Sequence, residues 1–117
     1  MHKLITELCR KAQEGELSLE DFQKKWPNEA NKNSFYRIIY NDIEDGVEHF
    51  PGNWKKEKLY DKWYKSNLFL TLYLDSLLLE SNLSEEDLIK HRDLMLKEKN
   101  LRKETIEDRV LQIRKQK

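Results

Sequence analysis

Apolar residues recur along the chain at helical spacing, and the polar residues between them mark where each helix starts and stops. Leu4, Ile5, Leu8 and Ala12 fall at the spacing of a first helix, and Gly15 is placed to end it in a left-handed cap. Ser18-Leu19-Glu20-Asp21 follows, a serine with a carboxylate three residues on, which is close to a capping box. A short helix over 19–26 is expected to stop at Trp26-Pro27, because the residue before proline avoids the α region. Residues 28–34, NEANKNS, read as a polar loop. A third helix begins near Ser34, sets Phe35, Ile38, Ile39, Ile43 and Val47 roughly along one side, and ends around Phe50-Pro51-Gly52.

In the second half, Asn53 is placed to cap a helix that carries Leu59, Trp63 and Leu70, flanked by Tyr60 and Tyr64. From Leu68 to Leu79 the same helix is apolar nearly all round, as expected of a central helix with neighbours on several sides. Ser84-Glu85-Glu86-Asp87 is a second near-capping box and opens a helix to about Lys99. Ile106, Val110 and Ile113 give a last amphipathic stretch. LSLEDF at 17–22 and LSEEDL at 83–88 resemble each other, but no periodic array continues from either. The pair is read as one helix-start solution used twice rather than as a solenoid repeat. The pattern predicts an all-α, single-domain antiparallel helical bundle of five or six helices. Residues 1–98 form the bundle, and 99–117 form a charged amphipathic helix that docks back or binds a partner.

Composition agrees with helices. The 117 residues include only three Gly and two Pro, too few turn formers for an all-β fold. Charged and hydrophobic residues each make up 38% of the chain, which is too apolar for wholesale disorder. Net charge is zero, so no global field draws the protein to nucleic acid or to an anionic membrane. Locally the charge alternates: residues 66–87 carry five acidic and no basic side chains, whereas 88–117 carry ten basic against five acidic. Cys9 is the only cysteine, so no internal disulfide forms. The N-terminal residues lack a signal peptide's apolar region, and the longest apolar run, 68–79, is interrupted by Asp75 and too short to span a bilayer. A soluble, cytoplasmic protein is expected.

The densest candidate chemistry lies in FYRIIYNDIEDGVEHF, residues 35–50, where Asp42, Glu44, Asp45, Glu48 and His49 crowd the second half. On a helix, Asp42, Asp45 and His49 share one side, and Glu44 pairs with Glu48. EDLIKH at 86–91 echoes EDGVEH at 44–49, and two such helices facing one another would supply two His and several carboxylates to a divalent metal. Helical di-iron sites use Glu-x-x-His spacing, which neither segment has, so no metal ligand and no cofactor is assigned. Cys9 lies on or beside the apolar stripe of the first helix, where a small buried hydrophobe is the default. No nucleophile motif or glycine-rich phosphate loop is present, and the chain reads as no enzyme. In residues 97–117, basic side chains interleave with Glu98, Glu104, Glu107 and Asp108 and no aromatic residue occurs, a solvated helix rather than a nucleic-acid surface. The aromatic group Trp54, Tyr60, Trp63, Tyr64 and Tyr73 reads as core and core rim, and Asp75, amid leucines, is expected to face a gap toward solvent or to pair with a lysine.

One resemblance rests on these residues. A first helix, then Gly15-Glu16-Leu17-Ser18 with Phe22 after it, then an acidic, aromatic-bearing helix at 35–50, resembles the small helical immunity proteins of bacteria, those of the colicin D type most closely. It covers roughly the first half of the chain. The resemblance implies a compact antiparallel bundle that binds a nuclease toxin and blocks its active site with an acidic surface. Asp42, Glu44, Asp45 and Glu48, with Tyr36 or Tyr40, would then face the toxin.

Two readings of function result. The first is a non-catalytic binding protein that offers the acidic helix to a basic protein partner, an immunity protein neutralising a toxin being its most concrete form. The second is a helical scaffold in which Ile106, Val110 and Ile113 join two chains into a homodimer through residues 100–117. A metal-dependent helical enzyme is a third and more distant alternative.

Overall fold

The computed structural model describes residues 1–49 and 60–116, with the backbone alone at Tyr60 and Asp61. The expected break at Phe50-Pro51-Gly52, the Asn53 cap, Trp54 and Leu59 lie outside the described residues. Within them the chain is all-α, with seven α-helices, one 3₁₀ turn and no strand.

Helix α1, His2–Gln13, turns Ile5, Leu8, Cys9 and Ala12 inward at i, i+3, i+4 and i+7. It ends as the sequence predicts. Gly15 takes a φ of 69°, where a side chain would be strained. Its N–H bonds the Ala12 carbonyl at 3.3 Å, and the Glu16 N–H bonds the Lys11 carbonyl at 2.9 Å, the paired bonds of a Schellman motif. The next carbonyl, of Gln13, accepts the indole N–H of Trp63 at 2.7 Å, so a residue fifty positions on completes the cap.

Helix α2, Leu19–Lys25, begins where Ser18 Oγ accepts the Asp21 N–H at 3.1 Å. Ser84 does the same for Asp87 at the start of α6, Glu85–Leu96. Each cap contributes about 1 kcal/mol. Among the described residues neither aspartate returns a bond to its serine N–H, because Asp lacks the extra methylene with which Glu closes a full capping box. Trp26 is extended ahead of Pro27 and ends α2. Residues 28–34 are not the plain loop expected from their polarity. Asn28–Lys32 wind into a 3₁₀ turn that buries Ala30, and the indole N–H of Trp26 holds it by bonding Asn31 Oδ1 at 3.1 Å.

Helix α3, Ser34–His49, is capped by Asn33 Oδ1 on the Tyr36 N–H at 2.9 Å, while the Glu85 carboxylate accepts the Ser34 N–H from across the fold. The single helix expected through 54–79 is divided. Helix α4, Tyr60–Tyr64, stops at Lys65, and α5, Asn67–Leu79, starts afresh. Ser66 is the reason: its backbone is extended, its Oγ accepts the Phe69 N–H, and its hydroxyl donates to the Trp63 carbonyl. That division is why seven helices are found where five or six were expected.

Helix α5 is the centre. Phe69, Leu72, Leu74, Asp75, Leu78 and Leu79 are buried around it, and it packs against α1, α3, α4, α6 and α7. Helix α7, Lys103–Lys115, lies on α5 and buries Ile106 and Val110 there. Arg114 fixes its far end, donating from Nε to Ser81 Oγ at 2.9 Å and from Nη2 to the Leu77 carbonyl at 2.8 Å. A cation there meets the negative end of the α5 dipole and one of its four unpaired carbonyls. The radius of gyration, 13.9 Å, is close to the roughly 13 Å that compact chains of this length show.

Gly46 sets how closely α3 approaches this centre. A Cβ there would stand 3.1 Å from Cη2 of Trp63 and 3.3 Å from Cδ1 of Leu72. The Trp63 ring is buried and held by its bond to Gln13, which opposes the shift that a Cβ would require. Gly46→Val is therefore expected to lower the unfolding free energy by about 1–3 kcal/mol, read as a lower urea midpoint at unchanged slope.

Candidate functional site

The inward residues of α3, namely Phe35, Ile39, Ile43, Gly46 and Val47, determine what its outer side presents. Asp45 and Glu48 are exposed and Glu44 is half-buried. None of the three forms an ion pair among the described residues. Some carboxylates elsewhere are matched: Glu7 and Glu14 with Arg10, Glu20 with Lys24, Glu98 with Arg109. Tyr36, Tyr40, Glu44 and Glu48 follow at steps of four and form one ridge, aromatic at its start and acidic at its end. The Tyr40 ring rests on Phe22 and Trp26, with centroids 4.8 and 5.2 Å away, and the Tyr36 hydroxyl lies 3.4 Å from His2 Nδ1. At the helix end, His49 Nδ1 donates to the Asp45 carbonyl at 2.8 Å.

Asp42 does not belong to that open side. Its carboxylate accepts two hydrogen bonds from Arg92 Nη2 of α6, at 2.8 and 3.1 Å, and its side chain is 14% exposed. The same guanidinium donates from Nε to Oδ1 of Asp75 on α5, at 3.1 Å. Asp75 is wholly buried, and its Oδ2 has no hydrogen-bond partner among the described residues. The expectation of an Asp75 facing solvent or a lysine is thereby corrected. One planar fork addresses two carboxylates on two helices, which a lysine's point charge does not do.

Burial drives the Asp75 carboxyl well above the usual carboxylate range. Asp42 close by adds to the rise, and Arg92 opposes it. Burial alone would pull Arg92 down, but Asp75 and Asp42 hold it above its ordinary value, so the guanidinium stays charged. Cys9 of α1 feels the same cluster. Burial first, then the charges of Asp75 and Asp42, push its thiol well up, which suits an inert core cysteine and not a nucleophile.

The remaining candidates separate in space. Among the described residues no three His, Cys, Asp or Glu side chains converge to hold a metal ion. His91 lines a groove between α6 and α7 with Met95, Arg109 and Ile113. Several basic residues of the last helix are engaged within the chain: Arg109 pairs with Glu98 at 2.6 Å, Lys103 sits 5.0 Å above the Tyr73 ring, and Arg114 binds α5. The Tyr73 hydroxyl donates to Glu107, and burial together with that bond pushes its pKa far up. Trp63 is buried and Tyr64 stands at the rim, as expected of core and core edge.

Arg92→Met would leave the Asp42 carboxylate beside the buried Asp75 carboxyl with no cation. The expected loss of unfolding free energy is about 3–5 kcal/mol, and Arg92→Lys, which keeps charge without the fork, should fall between. A urea titration that finds Arg92→Met within about 1 kcal/mol of the parent, the ceiling for an exposed pair, would show that the cluster does not hold the helices together.

Comparison of the chain with family models, with curated proteins and with solved structures returns no match.

Proposed function

We propose that this chain is a non-catalytic protein-binding module that presents the outer ridge of α3 to a basic partner. The observation that carries the reading is the set Glu44, Asp45 and Glu48. These three carboxylates lie on the outer side of one sixteen-residue helix and form no ion pair among the described residues. Like charges four apart on a helix repel and lower its stability by a few tenths of a kcal/mol. A basic surface docking there relieves that repulsion and gains fast, steered association.

The support extends to how the ridge is held. Its helix is anchored by Gly46 against Trp63, by Asn33 and Glu85 at its start, and by the Asp42–Arg92 pair along its flank. A rigid presentation reduces the entropy lost on binding. Tyr36 and Tyr40, half-buried at the other end of the ridge, are residue types that often dominate binding energy. Inhibition of a nuclease toxin, as in bacterial immunity proteins of the colicin D type, is the concrete form this reading takes. Against the alternative homodimer through Ile106, Val110 and Ile113 stands the burial of Ile106 and Val110, and the partial burial of Ile113, within the same chain.

The test is charge reversal at the three outward positions, leaving Asp42 in place. Glu44→Lys, Asp45→Lys and Glu48→Lys combined should keep the helical circular dichroism. The triple variant should weaken recovery of a salt-eluting basic partner from native extract by on the order of tenfold or more. Equal recovery by parent and triple variant would remove the acidic ridge from the binding surface.

A further inference from the structure

The cluster joining α3, α5 and α6 contains two carboxylates and one guanidinium, all within the fold. Written with every group ionised, it holds one uncompensated negative charge beside a carboxylate that is wholly buried. The geometry says where that charge is unsupported. Both Asp42 oxygens accept from Arg92 Nη2, and Asp75 Oδ1 accepts from Nε, but Asp75 Oδ2 has no donor among the described residues. A buried anionic oxygen without a donor is strongly disfavoured, and such groups take up a proton instead.

We propose that Asp75 is kept as the neutral carboxylic acid at neutral pH, with its proton on Oδ2 and directed toward Asp42, so that α3, α5 and α6 are locked by one charge-balanced cluster. Arg92 then balances Asp42 alone, and Asp75 changes from a second anion into a donor. Among the described residues, the groups facing Asp75 from the packed helices offer no other source of compensation. Helix α1 contributes the Cys9 thiol, α3 the Asp42 carboxylate and α6 the Arg92 guanidinium. The charged groups of α7 that reach α5, namely Lys103, Glu107 and Arg114, engage the Tyr73 ring, the Tyr73 hydroxyl, and Ser81 with the Leu77 carbonyl instead, and α4 packs through Trp63. Asp93, which also approaches Arg92 at 3.5 Å, is exposed and adds a further negative charge.

The sign of the pH dependence follows. An unfolded aspartate ionises at about pH 3.9, while the folded Asp75 retains its proton. Between these two values the folded chain binds one more proton, so its stability from this group is complete at acid pH. That contribution is lost progressively as pH rises toward the folded pKa, by about tenfold in the unfolding equilibrium constant per pH unit. The lock is therefore alkali-sensitive, opposite to the acid lability of an ordinary salt-bridged aspartate.

Two measurements on the full chain decide it. The carbon-13 shift of the Asp75 carboxyl should stay at the protonated position at pH 6, and an ionised shift there would overturn the proposal. Asp75→Asn, which mimics the neutral acid, should fold and should lack the pH-dependent term. The unfolding constant of the parent relative to Asp75→Asn should then rise about tenfold per unit above about pH 4. A flat or falling ratio, or an Asp75→Asn chain that does not fold, would equally overturn it.

Discussion

A helix that is apolar around its whole circumference has to be surrounded, and α5 imposes that requirement on the rest of the chain. One neighbour would leave most of its surface in water. The fold answers with α1 and α3 from the first half and α6 and α7 from the second, with Trp63 of α4 at its start. Most of what fixes the other helices is directed at this one. Gly46 lets α3 approach Leu72, Arg114 ties α7 to the last turn of α5, and Ser66 marks where α5 begins. Because every partner helix uses its single apolar side against α5, the molecule has one core and not two.

A centre made only of leucine and phenylalanine specifies little about which neighbour sits where, since apolar contacts are non-directional. The Arg92 cluster supplies direction. Three polar side chains on three helices fit only when those helices are in register, and any rotation would strand a buried polar group. The same device separates two kinds of acidic residue on α3. Asp42 serves the interior, whereas Glu44, Asp45 and Glu48 remain outside, although the four stand within seven positions of one another.

Much of the architecture is legible in the sequence, because capping and spacing are local. Gly15, Ser18, Ser84 and the Trp26-Pro27 stop each act within a few residues, and each is found where the pattern places it. The division at Ser66 is hidden, since it depends on a serine that reads equally well inside a helix. The 3₁₀ turn is hidden too, because burial of Ala30 is a tertiary matter. The ion cluster left a signal that grouping residues by charge passes over. Asp42 follows Phe35 and Ile39 and precedes Gly46 at i, i+4, i+7 and i+11; Asp75 holds the same place after Leu68 and Leu72 and before Leu79. Arg92 stands between Leu88 and Met95 in the same rhythm. All three occupy core positions of their stripes, two negative and one positive, and periodicity weighed before charge would have brought them together. The outward ridge is legible as a helix face, but which of its carboxylates stay unpaired depends on neighbours that only the fold brings near.

The position of α5 in the chain also orders events at the ribosome. The stripes of α1 and α3 are synthesised before the helix that covers them, and although the two helices also touch one another, α5 completes their cover. Residue 79 has to emerge before that cover is complete. Even then Asp42 and Asp75 meet without their cation, because Arg92 is made last of the three. The cluster therefore closes only after α6 has been made, and the register it imposes on α3 and α5 arrives with the second half of the chain.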